Sequence, residues 1–206
     1  MDLSQALQMV SRSDAGMVRS HNEDAVFINA PMGLAILADG MGGYNAGEVA
    51  SGMATTLLGT ELEKAFQKTA PHQQEASGKL HSHVVLEAEI ARANTAIYQA
   101  AQSQPQYAGM GTTLVTAVFY DNMMTVAHIG DSRLYRLRGG EFQVITRDHS
   151  LLQEQIDSGM ITAEEARHSQ NKNLVTRALG VDPAVEPEIR DYDTMPGDIY
   201  LLCSDG

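Results

Sequence analysis

What this chain lacks narrows its chemistry first. Its one cysteine, Cys203, excludes an internal disulfide and any zinc site built from clustered thiolates. Only three residues follow that cysteine, so a cysteinyl-phosphate loop, which needs an arginine several positions downstream, cannot form within these residues. There is no G-x-S-x-G nucleophile elbow and no H-E-x-x-H helix. Basic residues are scarce, with 14 Lys+Arg against 26 Asp+Glu and a net charge of −12, which argues against a nucleic-acid backbone or an anionic membrane as partner. Long apolar runs are missing too. The longest, residues 34–38 and 199–203, fall far short of a membrane span. The opening Met1-Asp2-Leu3-Ser4-Gln5 has neither the basic nor the apolar region of a signal peptide. A cytoplasmic protein that binds neither membrane nor nucleic acid is the expectation.

What remains is ordinary globular composition, 43% hydrophobic and 19% charged over 206 residues, which fits a single domain, 1–206, with a core of its own. Residues 25–30 and 34–38 read as strands about the turn Pro31-Met32-Gly33. Apolar residues at three-to-four spacing predict helices over 46–66 and 79–101. The period then changes: 112–120 and 123–129 read as strands joined by Asp121-Asn122, and 134–138 and 141–145 as strands joined by Gly139-Gly140. Residues 150–159 and 162–167 read as helices, the second with Thr162 and Glu165 forming a capping box. Residues 171–192, with Pro183 and Pro187, read as irregular, and 199–203 as a last strand. This order predicts an α+β arrangement of sheets covered by helices. His128 is read as a satisfied core residue, and His81 and His83 as solvated.

The glycine spacing of Gly42-Gly43-Tyr44-Asn45-Ala46-Gly47 mimics a nucleotide-binding loop. Glu48, however, stands where the phosphate-binding lysine is required, and its carboxylate would repel the anion. The positive signal lies elsewhere. Three apolar runs each end in an aspartate beside small residues: Asp39-Gly40, Asp131-Ser132 and Asp205-Gly206. Any one of them alone is also an ordinary turn. Together, carboxylates at buried strand ends call for a cation between them, and all-oxygen ligands suit Mg²⁺ or Mn²⁺ better than zinc. A further acidic element, Arg19-Ser20-His21-Asn22-Glu23-Asp24, sets a cation before two adjacent carboxylates, but on its own it reads more readily as a solvated charged loop.

With these residues in view, the chain resembles the bacterial type 2C, metal-dependent protein Ser/Thr phosphatases. The matching motifs are Arg19 with Asn22-Glu23-Asp24, Asp39-Gly40-Met41-Gly42-Gly43, Gly47-Glu48-Val49-Ala50-Ser51, Gly111-Thr112-Thr113, Gly130-Asp131-Ser132-Arg133, Thr146-Arg147-Asp148-His149-Ser150 and Ser204-Asp205-Gly206. They run in order through nearly the whole chain. The resemblance implies a four-layer α-β-β-α sandwich with two antiparallel sheets and a binuclear Mn²⁺ or Mg²⁺ centre at one end. There an activated water, not a side chain, attacks phosphoserine or phosphothreonine. Carried over by position, Asp39 bridges both metals, Gly40 offers a carbonyl, and Asp205 ligates the first. Glu23 holds a water of the second with Asp24 in support, Asp131 with Asp205 makes a weaker third site, and Arg19 grips the phosphate. Asp148 anchors a flap over residues 151–182.

The resemblance also departs from the pattern. Met41 stands where eukaryotic members carry a histidine, and Tyr44 where many bacterial ones do, leaving metal-bound water or His21 as proton donor to the leaving group. The family continues beyond Ser-Asp-Gly through a helix and a final strand, so the sequence is expected to be a fragment lacking those elements. A non-catalytic phosphatase-like binding module, or an inactive fragment, is the alternative reading. Expected partners are phosphorylated Ser/Thr proteins made by a cognate kinase, met by a monomer.

Overall fold

The computed structural model describes residues 2–17, 20–43, 45–169 and 174–205. Strand β1 (Asp24–Asn29) passes through one 3-10 turn into β2 (Leu34–Met41). Helices α1 (Ala46–Lys68) and α2 (His81–Ser103) follow. Then come β3 (Gly111–Thr112), β4 (Leu114–Tyr120), β5 (Met123–Ile129), β6 (Arg133–Arg138) and β7 (Glu141–Val144). Short helices α3 (Leu151–Asp157) and α4 (Ala163–Arg167) precede β8 (Glu188–Asp193) and β9 (Ile199–Cys203). A six-stranded sheet runs β1-β2-β4-β5-β8, with β3 also on β2, and a three-stranded sheet runs β7-β6-β9. Every pairing is antiparallel, as the α+β reading with two antiparallel sheets requires.

The period-two alternation of the strands sorts side chains between two cores. Leu34, Ile36, Ala38, Leu114, Val118 and Ile129 meet α1 and α2, which return Leu58, Leu62, Leu86, Ile90 and Ile97, all fully buried. Each large aliphatic side chain withdrawn from water in this way contributes about 1.5–3 kcal/mol. On α1 the buried stripe Ala46, Ala50, Ala54, Leu58, Leu62 and Phe66 recurs every fourth residue, and its small upper half lets that end of the helix lie close to β2. Val115, Ala117, Met124 and Val126 face the other way and pack on Leu134, Tyr200 and Leu202 of the small sheet. The outer face of that sheet leaves Phe142, Val144, Ile199 and Leu201 exposed.

The hairpin between β4 and β5 turns at Asp121 and Asn122, both in the left-handed region, as a two-residue loop between twisted strands demands. Ser150 caps α3, and Thr162 with Glu165 forms the expected capping box on α4. Two sequence expectations fail. Residues 188–193 form β8 rather than irregular chain. The stretch is charged and follows Pro187, so it reads as loop, but a six-pair ladder to β5 holds it as an edge strand, tucking Ile189 into one core and Tyr192 into the other. His81 and His83 are not solvated: the first pairs with Glu75, and the second meets Asp191 at 2.8 Å. His128 is satisfied, its Nε2–H donating to the Arg147 carbonyl at 2.8 Å.

Candidate metal centre

Strand direction brings the acidic residues together. Strands β2 and β5 both run antiparallel to β4, so their C-terminal ends share one edge of the large sheet. Strand β1 runs opposite to β2 and begins at that edge, with the register setting Asp24 directly across from Asp39. By alternation with Ile36 and Ala38, Asp39 turns toward the small sheet. Asp131 follows Gly130 at the end of β5, and Asp205 follows Ser204 at the end of β9. The two sheets are stitched together there by Ser204 Oγ, which donates to Asp24 Oδ2 at 2.9 Å.

The electrostatics record this crowding. Burial first, then the charges of Asp24, Asp205 and Asp131, raise the Asp39 carboxyl to about 7. Burial likewise raises Asp131, with Asp205 and Asp148 adding to the effect and Arg133 opposing it. The charges that act most strongly on Asp39 are carboxylates. An all-oxygen, all-negative set of this kind fits a hard divalent cation, which would relieve the repulsion. Among the described residues the one trio whose ligand atoms all lie within 4.8 Å of one another is His128, His149 and Glu188, not the carboxylates.

The backbone beneath Asp39 is held on both sides. Its N–H donates to Thr113 Oγ1 at 3.0 Å, and its carbonyl accepts from Thr112 Oγ1 and from the Thr113 N–H, each at 2.9 Å. Thr113 Oγ1 also bonds Ser132 Oγ at 2.7 Å, tying the Asp39 peptide to the neighbour of Asp131. Gly40 donates its N–H to the Glu23 carbonyl at 2.9 Å, and Ser51 Oγ donates to the same oxygen at 2.6 Å. A Cβ on Gly40 would lie 2.0 Å from the Gly47 carbonyl oxygen, and one on Gly47 would lie 2.6 Å from Glu23 Oε1. Both positions therefore require glycine, and their bareness lets the Glu23 carboxylate lie against the first turn of α1.

The structure thus brings Asp24, Asp39, Asp131 and Asp205 to one end of the inter-sheet space and sets Gly40 and Glu23 beside them, at the start of α1. Arg19 lies outside the described residues, as does Tyr44. Asp148 meets Arg133 in a two-pronged ion pair at 2.8 and 2.6 Å, linking the start of β6 to the segment that leads into α3. Thr112, Thr113, Ser132, Ser51 and Ser204 carry scaffold bonds that the sequence reading left unassigned. The available signal was their presence inside the same short motifs as the acids.

Comparison with known proteins agrees with this geometry. The sequence model of the protein phosphatase 2C family matches residues 17–206. The serine/threonine protein phosphatase PstP of Mycobacterium tuberculosis is 42% identical over 200 residues, covering 97% of this chain and 36% of that protein. The serine/threonine phosphatase stp of Listeria welshimeri is 38% identical over 198 residues, covering 95% of this chain and 75% of that protein. The chain therefore spans about a third of the mycobacterial relative and three quarters of the listerial one. Among solved structures, the M. tuberculosis phosphatase PstP/Ppp superposes with a TM-score of 0.81 at 40% identity, covering 94% of this chain and 76% of that one. The catalytic domain of PstP in complex with two manganese ions superposes with a TM-score of 0.77 at 41% identity, covering 94% and 75%. The chain belongs to the protein phosphatase 2C family.

Proposed function

We propose that this chain carries out metal-dependent hydrolysis of phosphoserine and phosphothreonine on proteins. The observation that carries the reading is the meeting of Asp24, Asp39, Asp131 and Asp205 at one end of the sandwich, with the Asp39 carboxyl raised by its acidic neighbours. Asp39 would bridge two Mn²⁺ or Mg²⁺ ions, with Asp205 and the Gly40 carbonyl on one and Glu23, backed by Asp24, serving the other. Asp131 and Asp205 would hold a weaker third ion, and Arg19 would bind the phosphoryl group. When bound, the ions supply the positive charge and Lewis acidity by which water becomes a nucleophile at neutral pH. The chain's own part is to hold the carboxylates at fixed separation, through the Thr112–Thr113 clasp on Asp39 and the Ser204–Asp24 bond between sheets.

On this reading residues 1–206 act as one phosphatase domain with 151–182 as a flap beside the site. Its substrates are the products of a Ser/Thr kinase, and it works in the cytoplasm as a monomer. The manganese ions in the PstP catalytic-domain structure support the choice of metal. The test is phosphate release from a phosphothreonine peptide. EDTA should abolish it, Mn²⁺ should restore it, and okadaic-acid-type inhibitors should leave it untouched. Asp39→Asn should remove turnover while leaving the circular dichroism unchanged; full activity in that variant would overturn the mechanism.

A further inference from the structure

His149 is more than 90% buried and is placed between the carboxylate cluster and the α3–α4 segment. Its N–H donates to the Gly130 carbonyl at 2.9 Å, and its ring Nδ1 accepts the Gly130 N–H at 3.2 Å, so both polar groups of that residue are engaged by one side chain and its own backbone. Gly130 immediately precedes Asp131 and holds a φ of 98°, with Thr113 packed where a Cβ would be. On its other side, the His149 carbonyl accepts the Thr176 N–H at 2.8 Å. The next residues close a neck, with Ser150 bridged to Val175 and the Leu151 N–H bonded to the Leu174 carbonyl at 2.9 Å. Helix α3 starts directly from this neck. His128 stacks on the His149 ring, centroids 4.8 Å apart and planes 19° from parallel, and fixes how it sits.

The trio His128, His149 and Glu188 does not make a second cation site. The Gly130 N–H occupies His149 Nδ1, which puts the ring proton on Nε2, the atom facing Glu188 at 3.8 Å. Two nearly parallel stacked rings also do not aim their lone pairs at one point. Burial holds the His149 ring neutral, with His128 and Arg177 acting in the same direction and Glu188 against it, in keeping with Nδ1 as an acceptor.

We propose that His149 is a positioning residue that couples the α3–α4 segment to Asp131. The same residue fixes the peptide from which the Asp131 carboxylate projects and the neck from which the segment extends. A change in one is therefore felt at the other. The proposal rests on the metal-dependent reading above for the consequence at Asp131, and on hydrogen bonds alone for the link itself.

The test compares His149→Phe, which keeps an aromatic ring but offers no acceptor, with His149→Asn, whose amide oxygen can take the Gly130 N–H. Only variants with wild-type circular dichroism are used. Mn²⁺ binding is read by calorimetry, and amide exchange is followed at Gly130, Leu151 and Thr176 in the metal-free chain. His149→Phe should weaken the Mn²⁺ site that contains Asp131 about tenfold, the size of one neutral hydrogen bond, and speed exchange at all three amides. His149→Asn should restore most of both. In an Asp131→Asn background, His149→Phe should cause no further loss of Mn²⁺ affinity, because the two act on one site. Additive losses, or Mn²⁺ affinity equal in wild type and His149→Phe, would overturn the coupling. A wild-type chain that binds no Mn²⁺ would instead overturn the functional reading beneath it, and the exchange rates would then decide the link by themselves.

Discussion

Replacing Asp39 by asparagine should make the metal-free protein more stable while removing its response to metal. In the folded chain the Asp39 carboxyl is raised from 3.8 to about 7, so it binds its proton more tightly folded than unfolded. A raised folded value contributes stability that is fully present below about pH 4 and lost as the pH climbs through 7. That shift corresponds to at most about 4 kcal/mol. Because the side chain is only part-buried, solvent screening leaves about 1–2 kcal/mol. Asparagine is uncharged at every pH and escapes this loss. With EDTA at pH 8, Asp39→Asn should melt about 3–6 °C above wild type, and the gap should close toward pH 4. On the proposed reading Mn²⁺ is a ligand of the folded chain alone, and at a hundred times its dissociation constant it should add about 2.7 kcal/mol to wild type and far less to the variant. The order of melting temperatures therefore reverses between EDTA and Mn²⁺. Thermal scans at pH 4, 6 and 8 with each additive test this. A variant less stable than wild type in EDTA at pH 8, or one that keeps the full Mn²⁺ shift, would refute the account of a charge-crowded site awaiting cations.

Three further outcomes follow from the scaffold. Gly47→Ala would push a methyl group to 2.6 Å from Glu23 Oε1, and should cost about 1–3 kcal/mol in urea denaturation and weaken Mn²⁺ binding by calorimetry. Thr113→Val removes the acceptor for the Asp39 N–H and the partner of Ser132, and should cost about 1–3 kcal/mol; Thr113→Ser should keep most of that stability in the same assay. Arg138→Met removes the cation paired with the Asp198 carboxylate, which is 3% exposed and held well below the usual carboxylate range chiefly by that guanidinium, and leaves it the Met195 N–H and the Tyr200 hydroxyl. A depressed folded value contributes stability in full above the unfolded one and loses it as the pH falls through the folded one, so the fall in urea midpoint should be large at pH 7 and shrink progressively below about pH 4.

Much of this protein is legible in one sequence because its signals are local. The apolar spacing of α1 and α2, the two-residue turns at Asp121-Asn122 and Gly139-Gly140, and the Thr162–Glu165 capping box all act within a few residues. Each element stands where its pattern puts it. Strand β8 was not legible, since charged residues after a proline become a strand only when β5 offers a ladder, and β5 lies about sixty residues earlier. His83 was misread for the same reason: its partner, Asp191, is 108 residues away. Composition and period report on neighbours along the chain and say little about partners across it.

The candidate site divides along the same line. Asp39, Asp131 and Asp205 were visible because each ends an apolar run, an arrangement too costly to leave unexplained. The groups that hold them were not. Thr112 reaches the Asp39 carbonyl across 73 positions, and Ser204 reaches Asp24 across 180. A hydroxyl beside a strand end has no periodicity and no charge to mark it, yet the Asp39 N–H depends on the Thr113 hydroxyl as its acceptor. The acids supply the repulsion that a cation relieves, and the hydroxyls supply the rigidity that stops the strands from spreading to relieve it themselves. With Thr113 bonded to Ser132, and Gly130 gripped by His149, the peptides bearing Asp39 and Asp131 cannot separate without breaking buried hydrogen bonds. On the proposed reading, a cluster held in this way favours a divalent ion, because spreading the strands to part the charges would break those bonds.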